Sequence, residues 1–424
     1  MNATKTSNKT PSKTSTKTAT KTATKTAPKT AVKTASKTST PAAAKKRTQA
    51  APKAVAKTPA KAAPRKTTKT AAKPSAPRKR AGARTVMVTG ATGFVGAHSV
   101  KALLDAGHQV RLLVRSKEKA QEVLGALGVK KLPPLVIGDM TDEAAVLEAL
   151  DGCDAALHCA AFVSTNPKDA ERMRRDNPQG TRIVVGNAVR LGLDPVVYVS
   201  SVAALMKPGL PVLHPDLPVA DSTTAYGQSK AEAERYVRSL QDQEKPVVIT
   251  YPGSVVGPAA GSVRGEAASG IAMQVRTGSL PTREAAWSVI DARDLGALHA
   301  AAMVPGRGPR RYMCGGHYLD MDALAALYGT LLDKPFEVKK MPGWALRAMG
   351  WVVDKAPNLK PPEADLSYES MVFFTQSPPT DDSRVADELG IRWRAAEASL
   401  RDAIVSLVQA DQLEPGQVGR LARP

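Results

Sequence analysis

TVMVTGATGFVG (residues 85–96), followed at once by AHSVKALLDAG (97–107), is the stretch that decides the fold. A short apolar run ends in Gly90, three glycines stand at the spacing G-x-x-G-x-x-G, and a stretch with helical periodicity follows, closed by Gly107. Strand, glycine turn and helix in this order form the phosphate-binding unit of dinucleotide folds. Each glycine has its own task. Gly90 permits the tight turn, Gly93 lets backbone approach a pyrophosphate, and Gly96 lets the helix pack on the strand. The phosphates then meet the helix N-terminus, where free N–H groups and the helix dipole favour anions. A glycine triplet alone is weak, but this one has the right flanks on both sides.

Outward from the turn, the alternation continues. HQVRLLV (108–114), PLVIGD (134–139), DAALHCAA (154–161) and PVVYVSS (195–201) read as further strands. Helical patterns separate them, including EAAVLEAL (143–150) and a long stretch from Asp169 to Leu191. Strands that alternate with helices predict an α/β fold with a parallel, doubly wound sheet, and continuous apolar runs are what buried parallel strands require.

The candidate chemistry lies just beyond the fifth strand. Tyr226 and Lys230 stand in AYGQSKAEAERYV, and the i, i+4 spacing puts both on one helix face. A phenol is a poor acid-base group at neutral pH, and a neighbouring cation lowers its pKa. Ser201 ends the fifth strand, at the sheet edge where such folds present ligands, and its hydroxyl suits a substrate carbonyl. Ser200 is the alternative if the register differs by one.

With these residues in view, residues 85 to 410 resemble an extended short-chain dehydrogenase of the NAD-dependent epimerase/dehydratase superfamily, near the dihydroflavonol reductase and hydroxysteroid dehydrogenase branch. The resemblance assigns Ser201, Tyr226 and Lys230 as catalytic. TGATGFVG is similar to the family's cofactor turn, which implies cofactor contacts at Gly90, Thr92, Gly93, Phe94, Val95 and Gly96. Asp139 and Met140 fall where the family flanks adenine. HCAA (158–161) fits the family's N-A-A only in part and would bring in Ala160. YPGSVVGP (251–258) resembles the stretch lining the nicotinamide, with Pro252 and Val255. NPQGT (177–181) is similar to the family's N-x-x-G-T, and VIDARDLGALH (289–299) to a later acidic segment. PPTDDSRVADELG (378–390) resembles its last motif and reads as a cap and surface element.

Departures narrow the reaction. Sugar dehydratases of this superfamily carry an acidic pair after the serine, where this chain has Val202, Ala203 and Ala204. The epimerases' Val-Tyr-Gly is missing too, which leaves carbonyl reduction or alcohol oxidation ahead of a sugar epimerase. At the end of the second strand, Leu113-Val114-Arg115-Ser116 offers no carboxylate for a ribose hydroxyl. Arg115 suits a 2′-phosphate, so NADP(H) is expected over NAD(H).

Charge divides the chain in two. Residues 1–84 hold 23 of its 60 Lys and Arg and no acidic residue, leaving 37 basic against 39 acidic side chains beyond. Lys-Thr recurs every four residues from Lys5 to Lys37, and large apolar residues are almost lacking. Such a tail cannot offset the entropy of ordering, so disorder is expected. Its Lys/Ala/Pro content resembles linker-histone and bacterial histone-like tails, which implies non-specific nucleic-acid binding through phosphate charge. A targeting segment and a plain solvated extension are the other readings.

The expected domains are the tail (1–84), a Rossmann-type NAD(P)-binding domain (85–255) and a substrate lobe (256–424) interleaved with it. Beyond about residue 255 the sequence reads as loops and short helices. Within that lobe, MPGWALRAMGWVV (341–353) reads as a helix over the substrate pocket or as a membrane-facing lip. The histidines have no metal spacing, so no metal is expected. Three cysteines, Cys153, Cys159 and Cys314, form no C-x-x-C pair, and no run of apolar residues is long enough to span a membrane. The expected location is cytoplasmic, with nucleoid association through the tail, and a homodimer is open. The rival reading is a dinucleotide-sensing regulator whose tail binds nucleic acid.

Overall fold

The computed structural model describes residues 82–164, 167–356 and 367–422. The expected disorder of the Lys/Thr tail therefore lies outside the described residues.

The first half follows the alternation read from sequence. Strand β1 (Thr85–Thr89) leads to α1 (Phe94–Asp105), β2 (Gln109–Val114) to α2 (Lys117–Ala126), and β3 (Leu135–Ile137) to α3 (Glu143–Leu150). Then come β4 (Ala155–His158), α4 (Ala170–Arg190), β5 (Val196–Val199), α5 (Ala225–Gln241) and β6 (Val247–Pro252). The second half begins with β7 (Ser254–Val256), α6 (Ala268–Thr277), β8 (Ser279–Leu280), β9 (Ala286–Asp291) and α7 (Ala292–Ala301). It continues through β10 (Arg310–Cys314), β11 (His317–Asp320), α8 (Met321–Leu332), β12 (Glu337–Val338) and α9 (Gly343–Lys355). Helices α10 (Tyr368–Gln376), α11 (Ser383–Leu389) and α12 (Ala396–Gln409) close the chain.

Seven strands form one sheet in the order β3-β2-β1-β4-β5-β6-β10, every pair parallel. This is the doubly wound order, with its switch point between β1 and β4. Every residue of β4, β5 and β6 is buried, as apolar strands covered on both faces must be. Val100 and Leu103 of α1 pack with Leu295 and Leu298 of α7 on one face. Val146, Val184 and Val237, from α3, α4 and α5, cover the other. Helices α1 and α7 cross closely at Gly296, where a Cβ would lie 2.8 Å from the His98 carbonyl oxygen.

The reading of loops and short helices beyond residue 255 is corrected here. A three-stranded sheet, β11-β9-β7, and the pair β12-β8 build a second layer around a third apolar cluster containing Ile271, Leu324 and Leu400. These strands are two to six residues long, too short to show a period. The 378–390 motif is also more than a surface cap. Asp382 accepts hydrogen bonds from the amides of Gly315 and Gly316 and from the Trp393 indole, which ties α11 to the β10–β11 turn.

Candidate active site

The glycine turn is held by geometry that tolerates no side chain. Gly90 has φ +75°, and a Cβ there would sit 2.7 Å from the Ala160 nitrogen. A Cβ on Gly96 would lie 2.1 Å from the Gly90 carbonyl oxygen. Helix α1 starts at Gly93 with no side-chain cap and no acidic residue in its first turn. Its first amides are thus left for an anion, with no carboxylate to repel one. This cradle fits the pyrophosphate of a dinucleotide.

Tyr226 and Lys230 stand on the first turns of α5, whose Thr224 side chain caps the Gly227 amide. The Lys230 ammonium lies 6.0 Å from the centre of the Tyr226 ring and donates to the Val199 carbonyl at the end of β5. Ser201 opens a short 3-10 turn, Val202–Ala204, and its hydroxyl faces the Tyr226 phenol. Ser200 also borders the cavity, but its Oγ donates to the buried Glu234 carboxylate at 2.8 Å. Both serines lie beyond the end of β5, and α5 holds Glu234 against Ser200. The adjacent-register alternative is thereby separated from Ser201.

The electrostatics differ from the sequence expectation in one respect. Lys230 was expected to lower the Tyr226 pKa, but the phenol is raised, first by burial and then by Glu266 and Glu369, with only Ser201 pulling the other way. Burial also lowers Lys230, to about 8, against the opposing pull of Glu266, Cys159 and Glu234. Desolvation outweighs the pair interaction because both groups are enclosed while their charges stand apart.

These groups share one cavity of about 1010 Å3. Gly90, Gly93, Phe94, Val95, Gly96, Ser201, Tyr226, Lys230, Pro252 and Val255 all line it. Apolar side chains, Met273, Met341, Leu346, Met371, Phe373 and Phe374, also line it, together with polar ones such as Glu266, Gln274 and Glu369. Thr92, Arg115, Asp139, Met140 and Ala160 are not part of this lining. Arg115 stands exposed at the end of β2, 4.0 Å from Asp139 beyond β3. Met140 is buried against Gly180 of α4, so its side chain fills the core instead of facing a ligand. Ala160 donates its amide to Thr89 Oγ1 beside Gly90.

Several groups at the site carried no sequence signal. Arg264 lines the cavity with its Nε buried and without a hydrogen-bond partner among the described residues. Glu266 and Glu369 approach Tyr226 from segments far along the chain. Asn177 was visible as a motif but not as a contact. It bridges the backbone of Phe162 to Ser229 of α5 and so anchors α5 to the loop after β4. His158 and His299 are buried with hydroxyl partners, and burial lowers each to about 3. Among the described residues, no three His, Cys, Asp or Glu side chains gather as a metal site.

Comparison with known proteins bears on this site. A family model described as "NAD dependent epimerase/dehydratase family" matches residues 86–315. A putative dihydroflavonol 4-reductase of Synechocystis sp. is 30% identical over 329 residues, covering 75% of this chain and 92% of the relative. Sterol demethylase protein B of Methylococcus capsulatus is 28% identical over 326 residues, covering 76% and 97%. Among solved structures, a UDP-glucose-4-epimerase from Stenotrophomonas maltophila shares the fold with a TM-score of 0.62 at 18% identity, covering 78% of this chain and 99% of that one.

Proposed function

Because the chain belongs to the NAD dependent epimerase/dehydratase family, we propose that this oxidoreductase of CH–OH and C=O groups interconverts a small or medium apolar ketone and its alcohol, with NADP(H) favoured over NAD(H). When bound, the nicotinamide supplies or accepts the hydride. The Ser201 hydroxyl donates to the substrate oxygen and holds it in place. Tyr226 gives its proton to that oxygen as the alcohol forms, and takes one in the reverse direction. The Lys230 ammonium holds the cofactor ribose and places positive charge beside the phenol.

The observation that carries this reading is the meeting of Ser201, Tyr226 and Lys230 with the glycine turn around a single cavity. Burial keeps the Tyr226 phenol protonated at neutral pH, the form that can donate to a substrate oxygen, and positive charge at Lys230 must offset that burial for the proton to leave. The Met and Phe side chains in the cavity lining support an apolar substrate. The sterol and dihydroflavonol in the relatives' names are apolar ring systems, which suits that lining. Arg115, with no carboxylate on its own strand end, supports the preference for a 2′-phosphate.

The test is Tyr226→Phe, assayed by cofactor absorbance against a panel of ketones. Turnover should fall at least ~10²-fold, the scale of a lost general acid, while cofactor affinity is kept. Near-normal turnover would overturn the mechanism. For residues 1–84, non-specific nucleic-acid binding is a separate proposal that rests on charge alone.

A further inference from the structure

Helix α9 is apolar on both sides. Leu346 and Gly350 turn inward and are buried, and Leu346 and Met349 line the cavity. Its outer face carries Trp344, Ala348, Trp351 and Val352, at helical spacing. Trp344 is 66% exposed and Trp351 55%, unusual for side chains of this size, and neither lines the cavity. Met349 is both 43% exposed and part of the cavity wall, so the cavity reaches the surface beside this face.

Among the described residues, the exposed charges next to α9 in sequence are mostly basic. Lys339 and Lys340, just before the helix, and Lys355 at its end are exposed. Asp354, Glu284 and Glu369 instead accept the backbone amides of Tyr368, Gly343 and Gly227. Glu337, also exposed, is the acidic neighbour on β12. An apolar stripe with two tryptophans and a basic fringe matches an interface of lipid tails and anionic headgroups, where the indole ring suits the boundary and lysine the phosphates.

We propose that the outer face of α9 docks the protein on an anionic lipid surface, with Trp344 and Trp351 seated at the headgroup boundary and the mouth of the cavity beside them. No helix among the described residues is long and apolar enough to cross a membrane, so the contact is peripheral. Docking in this orientation lets an apolar substrate pass between bilayer and cavity without entering water. The contact stands on the helix face alone and holds whether or not the redox reading is correct.

The test uses the full chain and vesicles of phosphatidylglycerol mixed with brominated phosphatidylcholine, at about 0.5 M salt, where purely electrostatic attraction of the basic tail is screened. Trp287 and Trp393 are half-buried and hydrogen-bonded to Ser254 and Asp382, so bromine quenching reports chiefly on the exposed pair. Wild-type emission should be quenched. In Trp344→Ser/Trp351→Ser, quenching should vanish and vesicle affinity should fall at least ~10-fold, the scale of losing two buried aromatic side chains. Turnover on a water-soluble ketone should not change. The proposal is overturned if wild-type emission is not quenched, a result that needs no variant. It is also overturned if the double variant binds vesicles equally well. Sedimentation covers the other occupant: a wild-type dimer that the substitutions dissociate would make this face a contact between two copies of the chain.

Discussion

Gly96→Ala puts the glycine turn to a quantitative test. The new Cβ would stand 2.1 Å from the Gly90 oxygen and 2.6 Å from its carbonyl carbon, both backbone atoms, where real Cβ contacts essentially never fall below 3.0 Å. The turn must therefore open by almost an ångström. Gly90 cannot yield toward β4, because its own Cβ position is already 2.7 Å from the Ala160 nitrogen. Overpacking of this kind costs ~1–3 kcal/mol of stability. The displaced amides also lose charge-assisted hydrogen bonds to the pyrophosphate, worth ~1.5–3 kcal/mol each, so the cofactor dissociation constant should rise ~10- to 100-fold. Gly125→Ala is the matched control. It lies in helix α2 with nothing within 4 Å of a built Cβ, so it should be neutral or stabilising by up to ~1 kcal/mol. Cofactor fluorescence titration and thermal unfolding read both effects. If Gly96→Ala and Gly125→Ala bind cofactor with equal affinity, the packing argument for this turn is wrong.

The two serines should separate cleanly. Ser201→Ala should lower turnover by ~10²-fold, as the loss of an oxygen-binding donor does. Ser200→Ala should mainly lower thermal stability, by ~1–2 kcal/mol, because it removes a donor from buried Glu234; the reverse pattern in kinetics and melting would reassign the site. Arg115→Ala should weaken NADP(H) binding and leave NAD(H) nearly unchanged, so tighter NAD(H) binding by the wild type, insensitive to this substitution, would refute the preference. Lys230 sits near 8 when folded against an ordinary 10.5. Its burial penalty is therefore fully present below about pH 8 and is relieved as the pH rises toward 10.5, where the unfolded chain binds more protons. Thermal stability measured relative to Lys230→Met should rise over that window while cofactor affinity falls, and flat curves for both would show that the lysine is not buried as described. The tail predicts salt-steep DNA binding, with a log–log slope near −0.9 per phosphate and roughly a thousandfold loss between 50 and 200 mM salt for ~6 engaged lysines. Anisotropy titrations of the full chain and of one beginning at Arg84 decide it, and equal affinity at low salt would exclude the tail as the binding segment.

How far the sequence reached depended on whether a feature was local. The β1–α1 turn was legible because its three glycines, the strand before it and the helix after it lie within one short stretch. The first five strands in chain order were legible as apolar runs between helices. The sheet's seventh strand, β10, was not: its first two residues are Arg310 and Arg311, and an edge strand needs only its inner face apolar. The short strands of the second layer gave no period to detect.

At the site, the spacing of Tyr226 and Lys230 was readable and their environment was not. The i, i+4 spacing of Tyr226 and Lys230 does put both on one side of α5, and the expectation of a lowered phenol pKa followed from taking them as a pair in isolation. What reverses the sign is first the burial of the phenol, and then the charges of Glu266, from the loop before α6, and Glu369, from α10, which lie far away in the chain. The same reasoning explains the two serines. Ser200 and Ser201 both follow β5 and both meet α5, and only the contacts made there, Ser200 to Glu234 and Ser201 to Tyr226, tell them apart. The raised phenol then has a chemical consequence. A tyrosine held protonated by desolvation is poised to give a proton, and it acts as a base only once charge beside it makes up for the burial, which is the place of Lys230. The rate, in either direction, should then vary with the charge on Lys230, which ties turnover to the same titration near pH 8 that the stability measurements would detect.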